Sequence, residues 1–571
     1  MVRRKKHWSY YPDNHQLVAE LSSSQSLPPL ISRLLLNRGL SDPEEVLSFL
    51  DPTLDRLLPP FGLPDLEVAA DRLARAVRQR EPLAVYGDYD ADGLTATCLL
   101  TQFFQELGLT CFPYIPDRLT EGYGLNQKAL EGLAAKARLL VTVDCGVSDA
   151  AEVAWARDHG LEVIVTDHHE LPQDLPPALA VVNPKRGGEA YPFGMLAGVG
   201  VALLLALGVR ARLREEGWFK NHPEPNLRNY LDLVALGTAA DVVPVLGENR
   251  ILVHQGLQVL AETRRPGLLA LKEAAGVNGK TVTFRDLGFR LAPRLNAAGR
   301  LGQARGALHL LLATDLGQAR SQARMLNELN RQRQSLEKEV LSQALKMIRQ
   351  QGLEQQPVLV LGREGWHSGV LGIAAARLAE EFHRPVALVS LKEGLGKGSA
   401  RSVAGFHLFQ GLGACRQHLV KFGGHEAAAG FSISEDKLPA LQEALGEAFL
   451  DQVGAARLRP TLRVDAAVEL FHLDQDFYKH LERLRPFGPG NPEPVFVCQT
   501  VECLTSRVVG ERHLKVQISQ GGVVMDAIAF DQGSCHPLSG PLEVAFSTRL
   551  SFFMGRITPE LRLLDWARAE K

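Results

Sequence analysis

Three aspartates, Asp88, Asp90 and Asp92, stand at alternate positions directly after the apolar run "PLAVYG" at 82–87. Like charges this close repel one another, and a carboxylate at the end of a buried strand is costly to desolvate. The arrangement becomes favourable when a cation lies among the carboxylates, because the cation offsets their repulsion. The triplet therefore predicts a metal site, provided that other parts of the chain supply further ligands.

Three later segments supply such residues, each beside an apolar run. The motif "LLVTVDCG" leaves Asp144 at the end of a predicted strand, and "VIVTDHHE" does the same for its aspartate and two histidines. The motif "LVALGTAADVVPV" places Asp241 in a turn before another apolar run, which predicts a fourth strand end. If these strands are parallel neighbours, their carboxyl ends share one edge of the sheet. The predicted metal-binding and catalytic residues are then Asp90, Asp92, Asp144, His168, His169 and Asp241.

This mixture of oxygen and nitrogen ligands suits two divalent cations, Mn²⁺ or Mg²⁺. Two such ions about 4 Å apart can activate a water molecule and stabilise the leaving oxygen of a phosphoryl displacement. Simpler explanations exist for each residue alone, because an aspartate at a strand end usually caps a turn. Four strand ends with such residues in one part of the chain favour the metal site. For Asp88 two roles stay open, support of the ligands or orientation of the turn.

The elements that must position these residues form an α/β pattern. Between residues 82 and 245, short apolar runs such as "LEVIVTD" alternate with amphipathic helical stretches, which predicts a parallel sheet. A second α/β pattern begins near "PVLVLG", and short alternating runs such as "HLKVQIS" predict a terminal all-β module with an open barrel as one candidate. The predicted parts are a helical N-terminal region (1–80), a catalytic parallel-sheet domain (81–245), a helical region with a connector helix (246–352), a second α/β domain (353–455), to which the resemblance described below assigns substrate binding, and a small barrel (460–568).

Two helices have explicit signals in the sequence. The motif "SDPEEVLSFL" predicts a helix with Ser41 as its N-cap and Pro43 in its first turn. Residues 315–352 carry apolar side chains at helical spacing and end at Gly352, which predicts one long helix between the two α/β domains. Seven lysines and arginines against three glutamates on this helix indicate either a solvated face or a surface that guides a nucleic-acid strand.

Composition excludes several classes of protein. At 571 residues the chain is too long for one core. Its 63 basic and 65 acidic residues exclude a globally basic binder but not a local binding surface. The apolar run "VGVALLLALGV" is shorter than the roughly 18 residues of a membrane span, and the basic first residues lack the apolar stretch of a signal peptide. Seven scattered cysteines without CxxC pairs favour free thiols in a reducing cytoplasm.

The combination of motifs resembles one enzyme superfamily. "GDYDADG", "VTVDCG", "VTDHHE" and "GTAADVVP" are similar to the motifs of DHH phosphoesterases, and "KFGGHEAAAGFS" is similar to the signature of the associated DHHA1 domain. With "RLNAAGR" and "EGWHSGVLGIAAARL", their order resembles the single-strand-specific 5′→3′ exodeoxyribonucleases of this superfamily over about residues 30–565. The resemblance implies a parallel-sheet DHH domain joined by a long helix to an α/β DHHA1 domain, followed by an OB-like nucleic-acid-binding barrel.

The same resemblance implies an activity and its requirements. The expected reaction is metal-dependent hydrolysis of single-stranded DNA to 5′-mononucleotides in DNA repair and recombination, with two divalent cations at the six predicted ligands. Asp167 would support the neighbouring histidines. Cys145 stands where many members have asparagine, so no role is carried over to it. Expected partners are single-stranded DNA, a single-strand-binding protein and a helicase, with no membrane, for a cytoplasmic monomer.

Substrate binding is expected from residues outside the metal motifs. Glycines let a backbone approach a phosphate closely, and an arginine can donate two parallel hydrogen bonds to one. In the second α/β domain the candidates are Lys397, Ser399, Arg401, Ser402, Gly423, Gly424 and His425, with Gly/Ala-rich packing as the alternative. In "PRLNAAGR", Arg294, Asn296 and Arg300 could form either a loop that positions the scissile phosphate or a helix cap.

The terminal module has basic side chains among aromatic ones, a composition that suits single strands whose bases stack on rings. The residues are His513, Lys515, Arg549 and Arg556 with Phe530, Phe546, Phe552 and Phe553. Most of these phenylalanines are also expected in the core.

Two alternative functions stay open at this point. One is a DHH-type phosphatase or phosphodiesterase acting on small nucleotides, against which the length and the terminal module argue. The other is a non-catalytic replication scaffold, against which the complete ligand set argues.

Overall fold

The computed structural model describes residues 6–277, 279, 281–454, 460–553 and 556–569, without the side chains of 551–557. Within this part of the chain, no helix is both long enough and apolar enough to cross a membrane. All seven cysteines are free thiols, as their spacing predicts.

The N-terminal region is helical but begins with a strand that the sequence did not predict. Its elements are β1 (His7–Tyr10), α1 (His15–Gln25), α2 (Pro29–Leu36) and α3 (Pro43–Leu50). The predicted cap of α3 is wrong by one residue: Asp42, not Ser41, accepts hydrogen bonds from the backbone N–H groups of Glu44 and Glu45. A carboxylate at this position satisfies two free N–H groups and also interacts favourably with the positive end of the helix.

The catalytic domain is built on a five-stranded parallel sheet, which confirms the predicted fold class. Every residue of β2 and β4 is buried, because helices cover both faces of the sheet. The strand order is β3-β2-β4-β5-β6. The elements are α4 (Leu66–Gln79), β2 (Leu83–Gly87), α5 (Ala91–Glu106), β3 (Cys111–Tyr114), α6 (Gln127–Ala134), β4 (Leu139–Val143), α7 (Ala150–Asp158), β5 (Glu162–Thr166), β6 (Ala180–Val182), α8 (Gly198–Glu215) and α9 (Leu231–Ala240).

A helical segment leads from this sheet to the second domain. It comprises α10 (Gly247–Ala261), α11 (Pro266–Ala275), α12 (Phe284–Asp286), α13 (Ala292–Arg300), α14 (Ala304–Leu312) and α15 (Leu316–Gln350). The long helix α15 is the predicted connector: its first half packs against the catalytic core, and its second half packs against the core of the next domain. Asp315 caps it by accepting a hydrogen bond from the Gln318 N–H.

The second α/β domain has a mixed sheet of order β10-β11-β9-β8-β7, in which only β7 and β8 are parallel. The glycine-rich stretches form β-strands here, so the alternative of helix packing is wrong for them. The elements are β7 (Leu359–Glu364), α16 (Ser368–Phe382), β8 (Val386–Lys392), β9 (Leu395–Arg401), α17 (Leu408–Ala414), β10 (Lys421–Gly424), β11 (Ala428–Ser434) and α18 (Leu438–Val453).

The C-terminal module is a closed barrel, since β14 pairs with both β15 and β17. Its elements are β12 (Thr461–Val464), β13 (Ala466–Ala467), α19 (Gln475–Arg483), β14 (Phe496–Val509), β15 (His513–Gln520), β16 (Val523–Ala529), β17 (Gly540–Phe553) and β18 (Arg556–Arg568). The two ends of the chain meet here: β1 pairs in parallel with β12, and helices α1–α3 share one apolar core with the barrel.

Candidate metal centre

The aspartate triplet lies where strand β2 passes into helix α5. Asp88 directly follows the strand. Asp90 is the N-cap of α5, and its Oδ1 accepts hydrogen bonds from the backbone N–H groups of Asp92 (2.9 Å) and Gly93 (3.2 Å). The alternation of the three aspartates therefore has a local cause as well, because the second one begins the helix.

The carboxylate of Asp92 is fully buried and lies at the N-terminus of α8. It accepts hydrogen bonds from the backbone N–H groups of Gly198 (2.7 Å) and Val199 (2.9 Å). Gly198 is required for a close approach, since a Cβ atom there would lie 2.7 Å from the Cβ atom of Asp144. The start of this helix thus holds two of the predicted ligands side by side.

His168 joins three carboxylates that come from different elements. Its Nε2 atom lies 3.0 Å from Asp144 Oδ1, 3.5 Å from Asp241 Oδ2 and 4.0 Å from Asp92 Oδ2. His168 follows β5, and Asp144 follows β4 with a left-handed backbone (φ +61°). The strand ends predicted to converge do so here.

The predicted position of Asp241 after a strand is wrong. Asp241 ends helix α9, where its N–H donates to the Gly237 carbonyl at 3.0 Å. The apolar run "LVALG" before it is buried on all sides among neighbouring helices, so its composition did not distinguish a helix from a buried strand. The side chain nevertheless reaches the same cluster.

Asp167 is arranged to hold the two histidines. Its Oδ1 atom accepts hydrogen bonds from the backbone N–H groups of His168 (2.8 Å) and His169 (3.1 Å), and it lies 2.7 Å from His169 Nδ1. Its Oδ2 atom accepts from the Val147 N–H at 3.0 Å. A proton on Nδ1 of His169 would leave its Nε2 atom as the metal ligand.

The side chains form three overlapping groups whose ligand atoms lie within 4.8 Å of one another. The groups are Asp144–His168–His169, Asp92–His168–Asp241 and Asp88–Asp90–Asp144. Three buried atoms of the cluster, Asp88 Oδ1, Asp144 Oδ1 and His168 Nε2, have no contact of hydrogen-bond geometry among the described residues, although the last two lie 3.0 Å apart. Buried polar atoms are normally paired, so the cluster fits divalent cations. Asp88 is itself a candidate ligand by this geometry.

The charge states of the cluster reflect its burial. Burial, followed by the charges of neighbouring aspartates, raises the pKa of Asp92 to about 7 and that of Asp241 to about 9. Burial and the charge of Asp92 likewise raise the pKa of Asp144 well above its ordinary value. Metal binding requires ionised carboxylates, so cations and protons compete for these groups.

The pKa values of the two histidines are shifted in opposite directions. Burial lowers the pKa of His168 to about 3, which keeps its ring neutral and able to bind a metal. For His169, burial acts in the same direction, but the hydrogen bond and charge of Asp167 outweigh it and raise the pKa to about 9. The same contact holds the pKa of Asp167 below its ordinary value despite burial.

The predicted substrate residues lie in several places, and one of them, Arg300, lies close enough to Asp90 for the charge of that carboxylate to act on it. Arg401 donates to Ser399 Oγ at 3.3 Å, and the charges of Arg401 and Asp90 both act on Arg300. Arg300 also donates to the Gly369 carbonyl at 3.2 Å, which joins the catalytic domain to α16. Burial, followed by the charges of neighbouring arginines, lowers the pKa of Arg300 to about 10. These arginines form a positively charged group beside Asp90.

The hairpin between β10 and β11 carries Gly423, Gly424 and His425. His425 closes the turn by donating its N–H to the Ala428 carbonyl at 2.8 Å. The hydrogen bond from Lys185 lowers the pKa of Glu170 in the catalytic domain, and a proton on the His425 ring would act in the same direction, so the hairpin lies within electrostatic reach of the residue that follows His169. Lys397, Ser399 and Arg401 share one face of β9, while the Ser402 hydroxyl is bonded to the Phe406 carbonyl at 2.6 Å.

The segment "PRLNAAGR" is helix α13 rather than a loop, and its three candidates point to different partners. Asn296 accepts a hydrogen bond from the Ala91 N–H at 2.7 Å and so fixes the start of α5. Arg294 contacts residues outside the cluster: its guanidinium donates to Asn327 Oδ1 (3.1 Å) and to the Ala274 carbonyl (3.3 Å). The geometry gives Arg294 a packing contact and no place at the cluster.

Sequence reasoning missed three residues of the loop region beside the cluster. The Arg118 guanidinium lies 5.1 Å from the centre of the Tyr89 ring, and the Tyr123 hydroxyl is 3.3 Å from His169 Nδ1. Tyr123 and Tyr89 contact edge to face at 6.4 Å. Tyr89 stands inside the aspartate triplet, which was the available signal, whereas no motif marked the other two.

The terminal barrel keeps some of its predicted residues at the surface. His513 stacks edge to face on Phe530, which is 39% exposed, and Lys515 pairs with Asp526 at 2.8 Å. Phe546 is fully buried. The side chains of Phe552, Phe553 and Arg556 lie outside the described part of the chain. Cys145 is buried, with its Sγ atom 3.9 Å from the Tyr86 carbonyl oxygen.

Known proteins share this arrangement. The chain matches the family models "DHH family, N-terminal domain" over 82–238, "DHHA1 domain" over 355–451 and "RecJ OB domain" over 464–565. It is 35% identical over 578 residues to the single-stranded-DNA-specific exonuclease RecJ of Bacillus subtilis, covering 100% of this chain and 72% of that protein.

Solved structures agree with the sequence comparison. RecJ from Thermus thermophilus in complex with Mn²⁺ superposes with a TM-score of 0.84 at 32% identity, over 99% of this chain and 80% of that one. The same protein in complex with Mg²⁺ gives a TM-score of 0.78 at 31% identity, over 99% and 79% of the two chains. This chain belongs to the RecJ family of DHH-type, single-stranded-DNA-specific exonucleases.

Proposed function

We propose that this protein is a metal-dependent 5′→3′ exonuclease that hydrolyses single-stranded DNA to 5′-mononucleotides in DNA repair and recombination. The observation that supports it best is the buried cluster of carboxylates and imidazoles, whose unpaired ligand atoms lie beside a group of arginines. The cluster would provide the metal ligands, and the arginines would provide a phosphate-binding surface in the same cleft. The proposed metal ligands are Asp90, Asp92, Asp144, His168, His169 and Asp241, with Asp88 and Asp167 beside them.

Two bound Mn²⁺ or Mg²⁺ ions would supply an activated water and stabilise the leaving oxygen. The chain itself has to hold the strand in place. Arg300 and Arg401 would bind the terminal 5′-phosphate through parallel hydrogen bonds, and Ser399 orients Arg401. The Gly423–His425 hairpin can approach the backbone closely, because no side chain intervenes at its glycines.

This placement accounts for the direction of digestion. A terminal phosphate held at the arginines leaves the next phosphodiester over the metal cluster, so each cleavage releases one nucleotide. The aromatic rings of Tyr89 and Tyr123 offer a surface on which the terminal base can stack. Arg294 is left out of the substrate site, while Asn296 acts by fixing the start of α5.

The proposal includes the setting in which the enzyme works. The resemblance alone supports a monomer. The seven free thiols support the cytoplasm. The resemblance alone supports a single-strand-binding protein and a helicase as partners. The five predicted parts of the chain remain the proposed division into domains, with OB-type binding of DNA assigned to the last.

Single-stranded DNA labelled at either the 5′ or the 3′ end tests the function, with Mn²⁺, Mg²⁺ or EDTA. We expect 5′-labelled strands to release labelled mononucleotide at once, and 3′-labelled strands to shorten progressively. Release of inorganic phosphate alone would indicate a phosphatase, and no metal-dependent product would indicate a scaffold. Either result would contradict the proposal.

A further inference from the structure

A loop of the barrel module packs against the segment that follows Asp241. Residues 486–491 connect α19 to β14, and their Pro489 carbonyl accepts a hydrogen bond from the Val245 N–H at 2.7 Å. Only three residues separate Val245 from Asp241, one of the proposed metal ligands. The terminal module, far along the chain, thus touches the catalytic domain next to its metal cluster.

The segment between these residues has a strained backbone. Val242 has a left-handed conformation (φ +64°) although it is β-branched, and 65% of it is exposed. A strained backbone conformation of this kind persists only where contacts on both sides hold the segment in place. On one side the Asp241 N–H is bonded within helix α9. On the other side Asn249 donates to the Pro244 carbonyl at 3.0 Å, and Pro489 holds Val245.

The packing at this contact leaves no space for an added side-chain atom at the glycines of the loop. A Cβ atom at Gly488 would lie 2.7 Å from Val245 Cγ2 and 2.7 Å from Phe284 Cε1. A Cβ atom at Gly490 would lie 3.0 Å from a methyl group of Leu246. None of these three neighbours is the flexible end of a long polar side chain, so a larger residue in the loop would displace the segment that follows Asp241.

The loop itself is rigid. Gly488 and Asn491 bond each other reciprocally through their backbones at 2.9 and 3.1 Å. The buried Asn491 side chain donates to the carbonyls of Leu484 (2.8 Å) and Pro486 (2.9 Å) and accepts from Arg38 Nε at 2.7 Å.

Arg250, which is also buried, ties the catalytic domain to the start of this loop. Its guanidinium donates to the backbone carbonyls of residues 483–486 and to that of Phe49. The loop is therefore a fixed support rather than a mobile connection.

We propose that loop 486–491 is a positioning element that sets Asp241 for metal binding and so couples the terminal barrel to the metal centre. The inference rests on the proposed function, in which Asp241 binds one of two cations. It assigns to the barrel module a role at the metal centre in addition to holding the strand. Loss of the contact would release the strained segment and move the Asp241 carboxylate away from its partners.

The test measures Mn²⁺ binding to the full chain by electron paramagnetic resonance in the absence of DNA. Gly488→Ala is expected to weaken Mn²⁺ binding at one of the two sites about tenfold, which is typical when a residue that positions a metal ligand is changed. Circular dichroism and single-strand binding in EDTA should stay unchanged. Gly132→Ala is the matched control, because nothing lies within 4 Å of a Cβ atom there, and it should bind Mn²⁺ like the wild type.

A second variant separates the proposal from simple misfolding. Val245→Ala in the Gly488→Ala background removes one of the two clashing atoms and should recover part of the lost Mn²⁺ affinity. Unchanged Mn²⁺ binding in Gly488→Ala, with weak binding in Asp144→Ala, would overturn the positioning role and leave the proposed function intact. A wild-type chain that binds no Mn²⁺ would overturn both. Loss of structure in Gly488→Ala without recovery in the double variant would also overturn the role.

Discussion

At the scale of single residues, the ionisation of the carboxylates in the cluster depends on whether they bind cations. Asp92, Asp144 and Asp241 are buried close together, and each has a raised pKa for that reason. Without cations they would be partly protonated at neutral pH. With cations they ionise, because each positive charge offsets both desolvation and mutual repulsion. Metal binding, proton release and stability are therefore linked at this site.

This linkage predicts how stability changes with pH. The folded-state pKa values of about 7 for Asp92 and about 9 for Asp241 lie above the values near 4 in the unfolded chain. The metal-free protein should therefore lose stability as pH rises from about 4, until about pH 7 for Asp92 and about pH 9 for Asp241, since the folded state binds more protons over that range. Mn²⁺ binds the ionised form, so its stabilising effect should be larger at pH 9 than at pH 6.

Thermal unfolding with and without Mn²⁺ at the two pH values measures this difference. Each tenfold gain in affinity at fixed Mn²⁺ adds about 1.4 kcal/mol of stability. An increase in Tm on adding Mn²⁺ that is equal or larger at pH 6 would show that these carboxylates are not the ligands.

Arg401 should distinguish the two kinds of 5′ end. Because its guanidinium lies in the group of arginines beside Asp90, Arg401→Ala should weaken binding of 5′-phosphorylated strands about tenfold or more and affect 5′-hydroxyl strands less. Affinities of the two strands, measured in Ca²⁺ or EDTA, test the difference. Arg294→Ala is the control, and it should keep the preference of the wild type. Equal losses for both strands in Arg401→Ala would indicate a general contact with the backbone.

At this scale, residue type and spacing were sufficient for most of the cluster. The aspartates and histidines at strand ends were predictable because chemistry restricts which side chains can lie together there. Arg118 and Tyr123 were not, since a loop residue acquires its neighbours only from the three-dimensional fold. For Arg294, whose residue type suits a phosphate, the structure gives a hydrogen bond to Asn327 instead of a contact with the cluster, and residue type alone could not indicate this partner.

At the scale of elements, helix α15 fixes the distance between the two α/β domains. Glu337 on this helix lies between Arg333 (2.5 Å) and Arg377 of α16 (2.6 Å) and is almost fully buried. Removing one partner of a buried ion pair leaves an unpaired charge and costs about 3 kcal/mol. Glu337→Ala should therefore lower the free energy of unfolding by that amount.

Denaturant unfolding measures this change, with Glu339→Ala as the control. Glu339 lies on the same helix but is exposed and accepts a hydrogen bond from the Gln343 side chain, so its loss should change stability by less than about 0.5 kcal/mol. Similar values for the two variants would mean that the buried pair does not join the helices.

The long helix and the main strands were predictable because their apolar periodicity is strong. Two other features of the secondary structure could not be predicted from the sequence. The pairing of β1 with β12 joins residues from opposite ends of the chain, which local pattern cannot reveal. Helix α9 was taken for a strand because a helix buried on all sides lacks the polar face that identifies its period.

At the scale of the whole molecule, the metal cluster lies between two domains that approach each other closely. Arg300 donates a hydrogen bond to the Gly369 carbonyl on one side, and His425 lies within electrostatic reach of Glu170 on the other. A stacked duplex should not reach the metal ions in such a cleft. We expect little degradation of blunt duplex DNA and rapid digestion once a 5′ single-stranded tail is added. Gel analysis of the two substrates at equal concentration measures the ratio of their digestion rates, and equal rates would contradict a narrow cleft.

The central claim is that the cluster around Asp144 and His168 holds the ions that hydrolyse DNA from the 5′ end. The most direct measurement is the initial rate of mononucleotide release from 5′-labelled single-stranded DNA in saturating Mn²⁺, for the wild type and for Asp144→Ala. Circular dichroism and strand binding in EDTA confirm that the variant is folded. The account predicts rapid release by the wild type and a loss of at least about a hundredfold in the variant, since a direct ligand matters at least as much as its supports. Near-normal release by the folded variant would contradict it.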